Sequence, residues 1–121
     1  MAIIGIGTDI IEIERVKGSI EKAGFFEKIF TEKERSTFNG KNHNSFAGYF
    51  AAKEAVSKAL GTGFAGIAPN EIEVCRNEKG APYILLYGKA LSRFEEIGGK
   101  SIFISISHSK DNSVAFCVIE G

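Results

Sequence analysis

The chain has 121 residues, enough for one domain with its own core and too few for two of ordinary size. It is 44% hydrophobic and 25% charged, which excludes disorder as its main state. Lys and Arg number 15 and so do Asp and Glu, so the formal net charge is zero; that argues against a dedicated nucleic-acid binder and eases self-association.

No apolar run reaches the ~18 residues that a membrane helix needs. Met1-Ala2-Ile3-Ile4-Gly5 carries neither a basic leader nor a cleavage-like site. No signal peptide is therefore expected, and a cytoplasmic setting with reduced thiols is. Cys75 and Cys117 lie in strand-like apolar runs and read as small buried hydrophobes.

Residues 2–13 read as an isoleucine-rich strand containing Gly5 and Gly7. Glycine inside a strand marks a bulge or a close approach by another backbone or a ligand. A short helix is expected near 14–23, ending at Gly24, and Phe25, Phe26, Ile29 and Phe30 form an apolar cluster after it. Thr31 with Glu34 three residues on makes a capping box for a helix over 32–38. Residues 39–42 are loop, and His43 reads as exposed in the same polar stretch. A long helix is predicted over 45–60, capped by Asn44 or Ser45 and stopped by Gly61. Its apolar residues Phe46, Tyr49, Ala52, Val56 and Ala59 recur close to the helical period. A glycine-rich loop follows over 61–66, then strands over 70–76 and 82–87 around the turn Asn77-Glu78-Lys79-Gly80. Residues 88–97 read as helix, and strands over 101–107 and 112–119 close the chain. The sum is a single α+β domain over 1–121, one long helix and short helices packed on an antiparallel β-sheet.

Four places carry chemistry. Asp9 interrupts an otherwise apolar strand, where a carboxylate needs a cation, a metal or several backbone donors. Phe50, Glu54 and Lys58 share one helix face, and Glu54 with Lys58 is an i, i+4 pair that reads equally as a solvated ion pair. The alanines around them allow a ligand or another element to come close. Gly61-Thr62-Gly63 follows a helix instead of preceding one, so a glycine C-cap accounts for Gly61 and leaves Gly63 unexplained. Alternation over Ile104-Ser105-Ile106-Ser107-His108-Ser109 puts His108 on the isoleucine face at the strand's end, as a core-edge or a functional histidine. A Ser-His-acid hydrolase lacks its nucleophile-elbow glycines here, and no Cys/His spacing suggests zinc. The pattern hints at two hard oxygen ligands for a cation such as Mg²⁺, with a lysine for phosphate.

Three stretches, in this order, resemble the holo-acyl-carrier-protein synthase family, the short 4′-phosphopantetheinyl transferases. They are Gly5-Ile6-Gly7-Thr8-Asp9-Ile10-Ile11-Glu12-Ile13, the run from Phe50 through Lys53-Glu54 and Lys58 to Gly61-Thr62-Gly63, and Ile104-Ser105-Ile106-Ser107-His108-Ser109. The resemblance spans essentially the whole chain. It implies transfer of 4′-phosphopantetheine from coenzyme A to a serine of apo acyl carrier protein, in fatty acid biosynthesis, with adenosine 3′,5′-bisphosphate as the other product. It makes Asp9 and Glu54 the Mg²⁺ ligands, with Mn²⁺ also suited to oxygen donors. It puts Lys58 near the coenzyme's phosphates, lays Gly61, Thr62 and Gly63 along the coenzyme, and gives His108 a phosphate contact. A metal-bound water or Glu54 itself takes the serine proton. Arg15, Lys17 and Lys22 become the docking residues for an acidic carrier. The family's homotrimer, with active sites at subunit interfaces, implies that Asp9 and Glu54 face His108 across chains. Two departures stand out: Tyr49 where arginine is common, and Ala81 where lysine or arginine is. Two other classes stay open: a Mg²⁺-dependent phosphohydrolase with water as acceptor, and a non-catalytic coenzyme- or nucleotide-binding module.

Overall fold

The computed structural model describes residues 1–121 throughout. Strand β1 (Ile3–Glu12) runs straight into helix α1 (Ile13–Ile20). Two short helices, α2 (Phe25–Ile29) and α3 (Glu32–Arg35), precede the long α4 (His43–Ala59). A 3-10 turn at Pro69–Glu71 leads to β2 (Ile72–Arg76) and β3 (Pro82–Leu86). Helix α5 (Gly88–Glu96) and the hairpin β4 (Ser101–His108) and β5 (Asn112–Glu120) complete the chain. Every strand pair is antiparallel, and the strands divide into a three-stranded sheet, β1-β5-β4, and the separate pair β2-β3.

Helix α4 lies on the three-stranded sheet at backbone contact distance. A Cβ at Gly5 would overlap the Ala59 carbonyl, and one at Gly7 the Ala55 carbonyl. The strand glycines therefore mark a close approach by another backbone, and the buried alanines at 51, 52, 55 and 59 are its counterpart on the helix. Ala115, Cys117 and Ile119 complete this layer from β5. On the other side of α4, aromatic rings fill the core. Phe46 meets Phe30 at 5.0 Å and Phe38 at 5.2 Å between ring centres.

A charged pair lies inside this aromatic side. Lys53 Nζ stands 2.8 Å from Glu34 Oε1, and neither side chain reaches solvent. The lysine also donates to the carbonyls of Pro69 and Ile72. Glu34 accepts from the Thr31 amide at 2.9 Å, closing the expected capping box, and from the Val74 amide at 2.7 Å. Each charge thus has several partners, which is the condition under which a buried pair is tolerated. The pair ties α4 to α3 and β2.

Some boundaries differ from expectation. Helix α3 stops at Arg35 because Ser36 and Thr37 turn their hydroxyls back onto the Lys33 and Glu34 carbonyls. Helix α4 starts at His43, two residues early. Asn44 and Ser45 are inside it, and Asn42 spends its side chain on the Asn39 amide and the Thr37 carbonyl instead of on the helix. His43 is accordingly half-buried in the first turn, edge-on to Phe38 at 5.5 Å, and not in a loop.

The outer face of the three-stranded sheet has no layer over it. Ile6 and Ile10 of β1, Val114 and Phe116 of β5 and Phe103 of β4 form an exposed apolar face, with Ile10 65% and Phe116 46% accessible.

Candidate active site

Alternation along β1 turns Asp9 to the same side as Gly7 and Ile11, under α4. Glu54 and Lys58, one helical turn apart on α4, close over it. Lys58 Nζ donates to the Thr8 carbonyl at 2.9 Å and reaches Asp9 Oδ1 at 3.4 Å. Asp9, Glu54, Arg15, Ser19, Phe25 and Phe50 line a cleft of about 230 Å³. The Glu54 carboxyl is held above the usual carboxylate range, first by burial and then by the charge of Asp9. Lys58 and Arg15 pull it the other way without winning. Two carboxylates thus share one cleft and call for a cation between them.

No third acidic, histidine or cysteine side chain joins them in a metal-binding group. That donor set fits Mg²⁺, which commonly takes one or two protein carboxylates and completes its shell with waters and substrate phosphates. Lys58 is half exposed and also borders a second hollow, of about 300 Å³, with Ile6, Gly7, Thr8 and Phe116. It stands between the carboxylate cleft and the outer face of the sheet.

The glycine loop completes α4. The Gly61 amide bonds the Lys58 carbonyl, and the amides of Thr62 and Gly63 both bond the Ser57 carbonyl. Gly61 at φ 82° and Gly63 at φ 57° adopt the left-handed backbone that this cap requires. The cap explains both glycines and fixes Lys58 one turn before it. The loop lines neither the carboxylate cleft nor the Lys58 hollow.

His108 ends β4 away from this cleft. Asp9 and Ile106 both pair with Ala115. His108 is therefore two strands and two residues distant, on the order of 12 Å within one chain. Its ring rests on Gly48, where a Cβ would lie 2.8 Å from His108 Cε1. His108 Nδ1 is 2.7 Å from Ser113 Oγ, which donates to the Asn44 carbonyl at 3.3 Å. Ser113 then accepts from Nδ1–H, and Nε2 is left free. Burial, and then the charge of Arg76, hold the imidazole below its usual pKa. Arg15 faces the carboxylates, while Lys17 and Lys22 are exposed at and beyond the end of α1.

A family model of the 4′-phosphopantetheinyl transferase superfamily matches residues 5–117. The chain belongs to that superfamily. A holo-[acyl-carrier-protein] synthase of Clostridium tetani is 48% identical over 122 residues, covering 98% of this chain and 97% of its own. One from Clostridium botulinum is 50% identical over 119 residues, 96% of each chain. The solved holo-[acyl-carrier-protein] synthase of Neisseria meningitidis superposes with a TM-score of 0.87 at 38% identity, covering 99% of this chain and 100% of that one. The Bacillus anthracis structure, in complex with CoA (3′,5′-ADP), gives 0.80 at 38% identity over 97% and 96%. The transferase fold is thus shown, and the chain is an enzyme of the holo-[acyl-carrier-protein] synthase kind.

Sequence reasoning passed over Lys53, Ser113 and Arg76. Lys53 reads as one more charge beside Glu54, and Ser113 as an ordinary strand serine. Arg76 carries no local signal, since it acquires its place only by meeting Tyr49, 27 positions earlier, with its guanidinium 6.0 Å from the ring centre.

Proposed function

We propose that this enzyme moves 4′-phosphopantetheine from coenzyme A to a serine of apo acyl carrier protein and releases adenosine 3′,5′-bisphosphate. The observation that carries the reading is the cleft lined by both Asp9 and Glu54, with Lys58 at its edge reaching Asp9 at 3.4 Å. Attack of an alcohol on a diphosphate needs neutralised phosphate charge and in-line positioning more than covalent help. Asp9 and Glu54 would hold Mg²⁺, or Mn²⁺ in its place, which would supply charge neutralisation on the diphosphate. Lys58 then turns its ammonium from Asp9 to the phosphates. Glu54, on the helix face over Asp9, is the side chain placed to take the serine proton. The cap at Gly61, Thr62 and Gly63 fixes Lys58 and lets the coenzyme pass close to the chain.

Arg15, Lys17 and Lys22 form the basic edge that receives an acidic carrier, with Arg15 continuing into the cleft. His108 stands too far from Asp9 to serve the same cleft within one chain. The uncovered apolar sheet face supports a homotrimer in which His108 of one copy completes the cleft of another. Two free, buried cysteines and the absence of any helix long and apolar enough to cross a membrane accord with work in the cytoplasm.

Intact-mass spectrometry of an apo acyl carrier protein incubated with the enzyme, coenzyme A and Mg²⁺ tests the reading. A mass gain of one phosphopantetheine, lost with chelator, is expected. Coenzyme A cleaved without carrier modification would establish a phosphohydrolase instead. Coenzyme A bound but unchanged across several carriers would establish a binding module.

A further inference from the structure

The glycine turn after α4 is held by a side chain from outside it. Arg93, in the last turn of α5, donates from Nε to the Leu60 carbonyl at 2.9 Å. Leu60 is the C-cap of α4, so this carbonyl lies at the negative end of the helix dipole, where a cation is favoured. The same guanidinium rests against the next residue: a Cβ at Gly61 would lie 3.3 Å from Nη2. Nη1 donates to Glu96 Oε1 at 2.7 Å, one turn further along α5, so the planar fork is oriented at two of its nitrogens. Helix α5 also grips the far end of the same loop. Glu71 accepts from the Ala68 amide and from the Lys89 amide, each at 2.7 Å. The loop is therefore tied to α5 at both ends, at Leu60 and at Glu71.

We propose that Arg93 is a positioning residue for the transfer: by holding Leu60 and the Gly61 turn it keeps the last turn of α4 wound, and so keeps Lys58 aimed at the phosphates of coenzyme A. This rests on the transferase reading above. Lys58 stands in that last turn, and its carbonyl accepts from the Gly61 amide at 3.0 Å. Helix ends fray where carbonyls lack intrahelical partners. Glycine at 61 and 63 permits the left-handed turn and also gives the backbone its greatest freedom. A clamp from a separate helix removes that freedom. Lys58 is a point charge on a flexible stem that must cross to Thr8 and Asp9 of β1, so its aim depends on where its own backbone stands. Arg93 lines neither the carboxylate cleft nor the Lys58 hollow, and it acts through Lys58 without touching the ligand.

Calorimetric titration with coenzyme A in the presence of Mg²⁺ tests this on the wild type, Arg93→Gln, Lys58→Ala and the double variant. A residue that acts through another changes binding by roughly 3- to 10-fold. We expect Arg93→Gln to weaken coenzyme A by about that factor when Lys58 is present and by less than about twofold when Lys58 is already Ala, because two residues that act through one contact are not additive. Arg93→Lys recovers part of the loss. Amide hydrogen exchange at Gly61, Thr62 and Gly63 quickens in Arg93→Gln while that of β5 stays as it was. An equal loss in both backgrounds would give Arg93 a role independent of Lys58 and would overturn the proposal, as would unaltered exchange in the turn. Should Arg93→Gln not fold, Arg93→Lys carries the same comparison, a smaller loss that again disappears without Lys58. Wild-type protein that binds no coenzyme A would overturn the transferase reading and this one together. Wild-type binding that the Arg93 variants leave unchanged would overturn only this one.

Discussion

Glu54 stands under opposing pulls, and their balance decides what its replacement does. Burial and the charge of Asp9 raise its proton affinity above that of an unfolded carboxylate, against Lys58 and Arg15. The folded state then holds the proton more tightly than the unfolded one. Its contribution to stability is present below the unfolded carboxylate pKa and falls as pH rises through the higher folded value. At pH 7 the ionised group costs stability, so Glu54→Gln is expected to keep or raise the thermal midpoint while transfer collapses. A midpoint lowered by several degrees in calorimetry would contradict this. Asp9→Ala and Glu54→Ala should each abolish carrier modification with circular dichroism unchanged, and normal turnover in either would remove it from the ligand set. His108 has the opposite sign. Burial and Arg76 lower its pKa, so stability declines as pH falls from the usual histidine value to the lower folded one, and is flat beyond. Proton NMR of the ring should titrate below 6.5 in the wild-type protein. In Arg76→Gln the midpoint moves upward, and an unmoved midpoint would separate the two side chains.

At the scale of elements, the contact of β1 with α4 is made of absent side chains. A Cβ at Gly7 meets the Ala55 carbonyl, which is helix backbone and cannot rotate aside. Gly7→Ala is therefore expected to lose about 1–3 kcal/mol in urea unfolding, as overpacked cores do. Gly18→Ala is the control, since it lies inside α1 with open space around it and should gain about 0.5–1 kcal/mol. Lys53→Met leaves the Glu34 carboxylate buried without its cation and should cost about 3–5 kcal/mol. These contacts show what a sequence displays. The strands, the Thr31–Glu34 box and the stop at Gly61 were legible because their signals are local. The start of α4 was misplaced because Asn42, Asn44 and Ser45 are all plausible caps, and only the tertiary bonds of Asn42 decide among them. The Lys53–Glu34 pair was illegible because its partners sit on separate elements and a buried lysine looks like an exposed one in sequence. Asp9 and Glu54 line one cleft and Lys58 reaches Asp9 from its edge, a placement that needs β1 and α4 to meet and that no local signal displays. Arg76 gains its place from Tyr49, the residue that departs from the family's usual arginine.

At the scale of the whole molecule, the residues proposed for the site are divided. Asp9 and Glu54 lie under one edge of the three-stranded sheet, and His108 ends the strand at the other edge. Between them the outer face exposes Ile6, Ile10, Phe103, Val114 and Phe116. An apolar face of this kind on a neutral chain favours self-association and is the surface that the proposed trimer would bury. If three copies meet there, each cleft takes Asp9 from one chain and His108 from the next, and the two inactivating changes complement one another. Asp9→Ala and His108→Ala chains, each inactive alone, should regain carrier modification when mixed, dissociated and reassembled together. Random mixing restores about one site in four, because half of the clefts keep Asp9 and half of their neighbours keep His108. Phe116→Glu, which puts a charge at the middle of the face, should give a folded monomer in sedimentation and no rescue. Variants that co-assemble without recovering activity would place Asp9 and His108 in the service of the same chain. Rescue that survived in the Phe116→Glu background would locate the subunit contact elsewhere on the molecule.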